Sequence, residues 1–438
     1  MANILIVYYY KNEYPLRATT ADHLYSFQEY SKHNCFYLNV ATRGLPSYLK
    51  KVAFDLIVFH TIFLSARWDR TLFKTLLREV SALKDSGAVK VALPQDEFLN
   101  TDLLCDFVND FDIDHVFSVA PESEWEVIYP TVDRQRVKFT KVLTGYLDAG
   151  TLEKITRLSA QARPRTIDVG YRAWRGAAWL GRHGFLKSEI ADVFSDEAPK
   201  RGLVADISTR SEDTLFGDAW YEFLLQSKYI IGVEGGASIL DRDGSIRAKT
   251  EAYVSAHESA GFDEVEANCF PNMEGSLKLF AISPRHLEAC ATRTCQVLIE
   301  GEYNGILKAG RHYIELKRDF SNIGQVLDSI KRDHLRSELT AWAYQDIVES
   351  KLYTYQSFVE MVLAQSLGTE TKPIQDRQPG PQPLVNSWMR IADRLSWIAV
   401  AFNWYIVVPI KRRLRKFLVK LFPDGTAFFS APKASKGK

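Results

Sequence analysis

The regular alternation of short apolar strands and helices is the feature that most constrains how this chain can fold. Runs rich in β-branched and aromatic residues, such as FDLIVF, are each followed by a segment of helical periodicity. The predicted strands are Asn3–Tyr10, Phe36–Val40, Phe54–Phe59, Val89–Leu93 and His115–Ser118, and the predicted helices are Ala21–Tyr30, Leu72–Lys84 and Leu103–Phe111. Because strands that alternate with helices indicate βαβ units, residues 1–155 are predicted to form one parallel-sheet domain.

A second alternating set follows the segment QARPR, Gln161–Arg165, which we interpret as a crossover linker. The predicted strands are Thr166–Val169, Tyr229–Val233, Thr294–Ile299 and His312–Leu316. The predicted helices are Ala219–Gln226, Pro284–Ala291, Phe320–Asp333 and Ser337–Ser350. The sequence therefore predicts an α/β protein with two Rossmann-like domains, residues 1–155 and 165–350. Residues 351–367 are predicted to be the terminal helix of the globular body.

Composition narrows the class of protein. With 46% hydrophobic and 25% charged residues among 438, the chain is typical of a globular protein. A formal net charge of +1 gives no global field that attracts nucleic acid, so a nucleic-acid partner is not expected. The 5 cysteines are scattered and never form a CxxC pair, which argues against a disulfide framework and a structural zinc site. The start, MANILIVYYY, lacks the basic residues of a signal peptide, so we expect folding in a reducing, cytoplasmic compartment.

The C-terminal part differs in composition from the rest. Residues 368–383, GTETKPIQDRQPGPQP, are predicted to be a flexible linker. Residues 384–438 carry the apolar run Trp397–Ile410 and then the basic block KRRLRKFLVK. The run is too short to span a bilayer, but tryptophans beside basic residues favour an in-plane contact with the inner face of a membrane. The alternative is a helix that folds back on the globular body.

Polar side chains follow two strands of the first domain at the sheet edge where ligands bind in open α/β sheets. His60 comes directly after Phe54–Phe59, and Asp96 and Glu97 come soon after Val89–Leu93. A histidine or carboxylate there can act as a general base toward a hydroxyl group, so all three are candidate catalytic residues. The alternative is that His60 caps the sheet edge and Asp96 begins the next helix.

Two glycine-containing loops follow strands of the second domain. The first, GYRAWRG, offers close backbone approach and two arginines that can hold a diphosphate, and its candidate residues are Gly170, Tyr171, Arg172 and Arg175. The alternative is a solvated basic loop. The second, EGGAS, has N–H groups that can face an anion, and its candidate residues are Gly235, Gly236 and Ser238. The alternative there is a plain tight turn. Neither loop is a Walker or GxGxxG motif.

The segment SPRHLE, Ser283–Glu288, is the most informative of these motifs. Proline near the first turn begins a helix well, and Ser283 is predicted to cap it. The free N–H groups of such a helix bind phosphate, and Arg285 adds a fixed positive charge. Glu288 lies one turn further, where its carboxylate can accept both hydroxyls of a ribose. The alternative is an ordinary surface helix.

The segment Ser283–Asn322 resembles the C-terminal signature of GT-B glycosyltransferases of the group-1 type. The stretches Gly232–Ser238, FHTIFLSARW and PQDEF are similar to parts of bacterial surface-polysaccharide transferases. The resemblance implies two domains facing across a cleft, with a nucleotide-sugar donor on the second domain, an acceptor on the first, and neither a metal nor a cofactor. It implies that Glu288 binds the ribose and that Tyr303, Asn304 and Gly305 lie near the donor.

The sequence departs from that family at one position. Many of its members carry a glutamate eight residues before the ribose-binding glutamate, where this chain has Phe280. The predicted function is transfer of a sugar to a saccharide or lipid-linked saccharide in cell-surface polysaccharide or glycolipid synthesis. A nucleotide-sugar epimerase of the same fold and a non-catalytic scaffold subunit remain alternatives. The DRD sequence at Asp241 and Asp243 is interpreted as a turn and not as a metal motif.

Overall fold

The structure, a computed structural model, describes residues 1–11, 17–42, 45–46, 52–161, 164–368, 391, 394–407 and 409–410. Its strands are β1 (Asn3–Tyr8), β2 (Asn34–Asn39), β3 (Leu56–Phe59), β4 (Val89–Ala92), β5 (His115–Ser118), β6 (Lys138–Lys141), β7 (Ile167–Arg172), β8 (Ala205–Ser208), β9 (Ser227–Gly232), β10 (Gly235–Ala237), β11 (Leu279–Ala281), β12 (Cys295–Ile299) and β13 (Tyr313–Leu316).

The α-helices lie between these strands and after them. They are α1 (Ala18–Glu29), α2 (Thr61–Leu64), α3 (Arg70–Glu79), α4 (Thr101–Asp110), α5 (Trp125–Ile128), α6 (Ala149–Ser159), α7 (Gly181–Lys200), α8 (Asp218–Gln226), α9 (Ser245–Ala256), α10 (Phe262–Cys269), α11 (Pro284–Ala291), α12 (Ile323–Ile330), α13 (Asp333–Ala343) and α14 (Tyr355–Leu367).

Two parallel sheets organise the molecule. The first has the strand order β2-β1-β3-β4-β5-β6 and the second has the order β13-β12-β9-β7-β8. All neighbouring strands within each sheet run parallel. Strands such as β1 and β3 are apolar and buried on both faces, as expected where helices cover both sides of a parallel sheet. The predicted α/β fold with two Rossmann-like domains is confirmed.

The last helix of the globular body returns to the first domain. In α14, Phe358, Val359 and Val362 are buried in one apolar cluster with Ile4 and Leu24. Just before α14, the chain pairs with the segment between β6 and α6, where the N–H of Leu147 donates to Tyr353 O at 2.8 Å. The second domain is therefore inserted, in chain order, between two parts of the first.

The segment between β9 and α11 joins the two domains. It contains the hairpin of β10 with β11 and the helices α9 and α10, whose apolar side chains share one core cluster with the first domain. The backbone of Asp241 donates to Phe98 O and accepts from Asn100 N, both at 2.8 Å. The Asp241 carboxylate accepts from the N–H groups of Ile246 and Arg247 at the start of α9. Asp241 thus fixes a turn, and no group of three or more His, Cys, Asp or Glu suited to a metal occurs among the described residues.

Part of the predicted tail is a helix that rests on the first domain. Residues 394–402 are α-helical and Asn403–Val407 form a wider π-helical turn. Trp397 packs against the rings of Tyr8, Tyr10 and Tyr25 at centroid distances of 6.1, 5.4 and 6.3 Å. None of the helices within the described ranges is long and apolar enough to span a membrane. The predicted linker beyond Gly368 and the basic block at 411–420 lie outside the described residues.

Candidate functional site

A cleft with a volume of about 640 Å³ lies between the two domains. Its second-domain wall is formed by the carboxyl ends of β7 and β9, through residues such as Tyr171 and Val233, and by the start of α11. After β7 the chain forms β8 on one side and then β9 on the other, so the sheet switches direction between β7 and β9. That switch point is where open α/β sheets bind ligands. From the first domain, Arg17, Thr19 and Trp68 line the opposite wall.

Two cations in this cleft form no close ion pair within the described part of the chain. Lys187 of α7 and Arg285 of α11 both line the cleft, and the charges of Asp96 and Glu288, respectively, act on them without direct contact. The Arg285 guanidinium donates to the backbone oxygen of Arg172 at 3.0 Å. Burial and the Arg285 charge lower the pKa of Lys187 to about 8, while Asp96 acts in the opposite direction. Partly desolvated cations that are not held in an ion pair bind anions strongly.

The first turn of α11 faces the same space. Pro284 occupies the first turn, and Ser283 lies at the N-cap position. The predicted capping bond is absent, because the Ser283 hydroxyl is buried without a hydrogen-bond partner in the described part of the chain. Pro284 has no N–H, and the N–H of His286 donates to Ser283 O at 3.0 Å, so the groups of this turn that are available to a ligand are the backbone N–H of Arg285 and the free Ser283 hydroxyl.

Glu288 lies one turn further along α11 and also lines the cleft. Its two carboxylate oxygens accept from Trp220 Nε1 at 2.8 Å and from the Tyr221 hydroxyl at 3.3 Å. Burial raises the pKa of Glu288, and these two donors together with Arg285 oppose the increase. The carboxylate is thus held in one orientation and retains lone pairs for a vicinal diol.

Aromatic side chains form much of the remaining wall. The rings that line the cleft include Trp68, Trp174, Trp179, Phe216 and Trp220. The Arg17 guanidinium lies 4.8 Å from the Trp174 ring and 5.7 Å from the Phe216 ring. Flat apolar faces beside cations suit a ligand that combines a ring system with negative charge.

Three of the predicted residues in GYRAWRG have other roles. Arg172 pairs with Asp206 at 2.7 Å and lies 4.5 Å from the Phe223 ring, so its charge is already compensated. Arg175 is paired with Asp192 at 2.6 Å. Both line the cleft, but neither is a free cation. Gly170 lies inside β7, where a β-carbon would approach the Phe223 ring at 2.7 Å, so this glycine serves close packing of the strand on α8.

The loop EGGAS is largely structural. Gly235 lines the cleft, as predicted for a ligand contact. Gly236 has a φ of +117°, and a β-carbon there would meet Leu279 O of the paired strand at 1.8 Å. The Ser238 hydroxyl is buried against α7 and accepts from the N–H of His183 at 3.3 Å. Gly236 and Ser238 therefore shape the hairpin and do not line the cleft.

The predicted donor loop at Tyr303–Gly305 also lies outside the cleft lining. Tyr303 is fully buried, its hydroxyl donates to Ile299 O at 2.6 Å, and its N–H donates to the carboxylate of Glu234. The Asn304 side chain accepts from the N–H of Ile282, directly before α11. Gly305 has a φ of +74° that completes the turn. These residues position the start of α11 and do not reach the cleft.

Among the candidate bases, His60 is excluded from the cleft. It is completely buried, Nδ1 accepts from the N–H of Ile62 at the start of α2, and Nε2 lies 2.7 Å from His23 Nδ1. Burial, then the neighbouring His23, lowers the pKa of His60 well below its usual value. The predicted catalytic role is replaced by the alternative, a cap at the sheet edge.

The two carboxylates after β4 differ from each other. Glu97 is buried and accepts from the Ser118 hydroxyl at 2.7 Å and from the N–H of Val119 at 2.9 Å, so it holds the loop after β5 and is not a base in the cleft. Asp96 does not line the cleft either, and burial raises its pKa while Arg67 and Lys187 oppose the increase. Through its interaction with Lys187, Asp96 is the closer of the two to the cleft wall.

Two residues at or near the cleft that have a shifted pKa, Lys187 and Asp22, were not predicted from the sequence. Lys187 lies in α7, a helix that was not predicted. Asp22 lies inside predicted helix α1, where a single acid gives no signal. Burial, followed by the charges of Asp148 and Glu288, raises the pKa of Asp22 to about 7. The carboxylates of Asp22 and Glu288 therefore repel each other across the domain boundary.

No protein-family model matches the chain, and no curated protein matches it either. Among solved structures, the chain is similar to T4 phage BGT in complex with its UDP-glucose substrate, at 10% identity over 83% of this chain and 99% of that one, with a TM-score of 0.46. It is also similar to Anabaena HepE in complex with UDP-glucose, at 9% identity over 83% of this chain and 100% of that one, with a TM-score of 0.45.

A third similar structure is a glycosyltransferase from Rickettsia africae, at 10% identity over 84% of this chain and 99% of that one, with a TM-score of 0.41. The assignment of two Rossmann-like domains rests on the two strand orders described above and not on these likenesses.

Proposed function

We propose that this protein is a glycosyltransferase that moves a sugar from a nucleoside-diphosphate sugar to a saccharide or lipid-linked saccharide in cell-surface polysaccharide or glycolipid synthesis. The observation that supports it is that two cations without a close ion pair among the described residues, Lys187 and Arg285, line one cleft with the start of α11 and the carboxylate of Glu288. These groups occupy the switch point of the second sheet.

The spacing on α11 suits a nucleoside diphosphate. The side chains of Lys187 and Arg285, the backbone N–H of Arg285 and the Ser283 hydroxyl bind the diphosphate in this proposal. Glu288 follows Pro284 by four residues, about 6 Å along the helix axis, and accepts the two hydroxyls of the ribose. The aromatic wall is left for the base and the sugar.

The same groups account for the chemistry without a metal or a cofactor. When the glycosidic bond to the donor breaks, the sugar carries oxocarbenium character and the diphosphate gains negative charge. A fixed backbone N–H, the Ser283 hydroxyl and two cations that are already in position stabilise that charge without reorganisation. Asp96 is proposed as the group that accepts the proton of the acceptor hydroxyl; it does not itself line the cleft, and its link to the site is its charge interaction with Lys187, which does.

The proposal is tested by calorimetric titration of UDP, GDP, dTDP and CMP into the wild type and Lys187→Gln. One nucleotide should bind the wild type, and Lys187→Gln should bind it with about tenfold lower affinity, because a charge-assisted contact to phosphate is lost. Lys200→Gln is the matched control, since Lys200 is an exposed lysine of the same helix that pairs with Asp196 and Glu197. If no nucleotide binds to the folded wild type, the donor site does not exist.

A non-catalytic scaffold subunit is a second candidate, and one observation favours it. Phe280 stands where many members of the resembled family carry a glutamate, and its ring stacks on His183 at a centroid distance of 3.7 Å. No carboxylate is therefore supplied from this position. Turnover distinguishes the two, because a scaffold binds the nucleotide sugar but releases neither free nucleotide nor glycosylated product when acceptors are added.

A further inference from the structure

The helix over residues 394–407 is apolar on two opposite faces. On the inner face, Ser396 and Val400 are 3% and 2% exposed, and Trp397 packs on three tyrosines of the first domain. On the outer face, Leu395, Ile398 and Phe402 are 57%, 62% and 56% exposed. An exposed apolar stripe on a helix that is already docked is unusual, because large apolar side chains are normally turned to the core.

The outer stripe continues along the described part of the tail. Exposed apolar residues recur at intervals of three or four positions, which keeps them on one side of the helix; they are Ile391, Leu395, Ile398, Phe402, Ile406 and Ile410. From Leu395 to Ile406 the stripe is about 16 Å long. It is long enough to contact an extended surface and too short to cross one.

The charge of the adjacent sequence identifies the partner. Residues 395–423 contain no aspartate or glutamate, whereas six lysines and arginines follow Ile410 within ten residues. An apolar stripe that leads directly into a polybasic segment matches a surface with an apolar interior and anionic head groups. A protein groove of mixed charge would not require this separation of apolar from cationic residues.

We propose that the outer face of the helix over residues 394–407 binds an anionic lipid bilayer while its inner face stays on the first domain. The helix then lies in the plane of the membrane, because Tyr8, Tyr10 and Tyr25 hold its other side to the protein. The surface serves the protein whether or not the cleft transfers sugar, so it is independent of the proposed function.

Sedimentation of the full chain with lipid vesicles tests the proposal. The wild type should bind vesicles that contain phosphatidylglycerol more strongly than vesicles of phosphatidylcholine alone. The double variant Ile398→Glu with Phe402→Glu should lose about tenfold in binding to the anionic vesicles, because two charges enter the apolar contact. Leu352→Glu, at a side chain that is 66% exposed elsewhere, is the matched control and should bind like the wild type.

Three outcomes would overturn the proposal. The first is a wild type that binds neither kind of vesicle, and the second is a double variant that binds as well as the wild type. The third is a concentration-dependent dimer, seen by analytical ultracentrifugation, that the double variant abolishes without any vesicle binding; the stripe would then contact a second copy of this chain. Both substituted side chains are exposed, so an unchanged melting temperature confirms that the variant is folded.

Discussion

Lys187 is the residue whose charge state makes the cleft sensitive to pH. Burial and Arg285 lower its pKa to about 8, and the Asp96 carboxylate is the one group that acts in the opposite direction. Above that pH the amine loses its proton, so a diphosphate must restore the proton in order to bind. Nucleotide affinity should therefore fall by about tenfold between pH 8 and 9.5, a range in which the terminal phosphate, with a second pKa of about 6, no longer titrates.

Lys187→Arg separates this effect from others, because arginine stays charged throughout. Titration calorimetry at pH 7, 8 and 9.5 should show a much flatter profile for Lys187→Arg than for the wild type. Lys200→Arg serves as the control and should keep the decline. An identical decline in Lys187→Arg would mean that another group titrates at the site.

Glu288 should be specific for the ribose. The structure fixes its carboxylate with Trp220 and Tyr221 but leaves acceptor capacity open. Glu288→Gln is expected to lower the affinity for the nucleoside diphosphate by about tenfold, since hydrogen bonds to charged groups are worth about 1.5 to 3 kcal/mol. The same substitution should reduce the affinity for the 2′-deoxy analogue of that nucleotide much less, because one of the two hydrogen bonds from the ribose hydroxyls to Glu288 is already missing.

Four dissociation constants check this pattern: those of the wild type and of Glu288→Gln, each for the ribonucleotide and for its 2′-deoxy analogue. Glu258→Gln, at an exposed residue, gives the background for the substitution. Equal losses for the ribose and deoxyribose nucleotides would remove Glu288 from the ribose contact.

At the scale of secondary-structure elements, α14 contributes to the core of a domain that lies far from it in sequence. Phe358 is 2% exposed and packs on the ring of His23 at 5.4 Å and on Tyr146 at 4.8 Å. Phe358→Ala should lower the free energy of unfolding by about 3 to 5 kcal/mol, through lost burial and the cavity left behind. Urea denaturation measures this, and Phe216→Ala, at a half-exposed cleft residue, should cost less than about 1 kcal/mol.

Elements with an apolar run or a clear start signal, such as the serine and proline that begin α11, were predicted well, and elements without either signal were missed. His115–Ser118 and Pro284–Ala291 match β5 and α11 at both ends. The edge strands β6 and β8, KFTK and ADIS, are only partly buried and carry no apolar run. Helix α7 was missed because two glycines lie in its first turn and a proline lies in its last. Edge positions and long mixed helices depend on tertiary contacts that local pattern does not record.

The candidate site was predicted where the signal was local and missed where it was not. The order of proline, arginine and glutamate on α11 is visible in the sequence, and the structure places all of these side chains in the cleft. His60 follows a strand as a ligand-binding residue would, but its ring turns to His23 of another element. Arg172 and Arg175 look like free cations until Asp206 and Asp192 are brought beside them by folding.

At the scale of the whole molecule, buried acids at the domain boundary should make stability depend on pH. Asp22 has its pKa raised to about 7 by burial and by Asp148 and Glu288. The Asp22 carboxyl binds a proton more tightly in the folded protein than in the unfolded chain, so its contribution to the free energy of unfolding is fully present below about pH 4. That contribution is lost as the pH rises through 7.

Asp22→Asn should remove most of that decline and stabilise the protein at pH 8 relative to the wild type by about 1 to 2 kcal/mol, discounted for the partial exposure of Asp22. Urea denaturation of both proteins at pH 5 and pH 8 measures the difference. A variant that is equally destabilised at both values would show that Asp22 acts only through packing.

The helix over residues 394–407 and the cleft both contact helix α1 of the first domain. Thr19 lines the cleft at the start of α1, and Tyr25, six residues later, supports Trp397. The two are about 9 Å apart along the helix axis. A bilayer bound to the outer face would therefore lie close to the cleft, which agrees with a lipid-linked acceptor.

The return of α14 to the first domain has a consequence for the order of synthesis. Residues 1–155 leave the ribosome long before Val359 and Val362, which cover Ile4 and Leu24 in the finished core. Until some 200 further residues have been made, that apolar surface stays open, and the first domain must wait for the second to be translated. A nascent chain stalled before α14 has emerged from the exit tunnel should thus recruit chaperones, whereas one stalled after all of α14 has emerged should not.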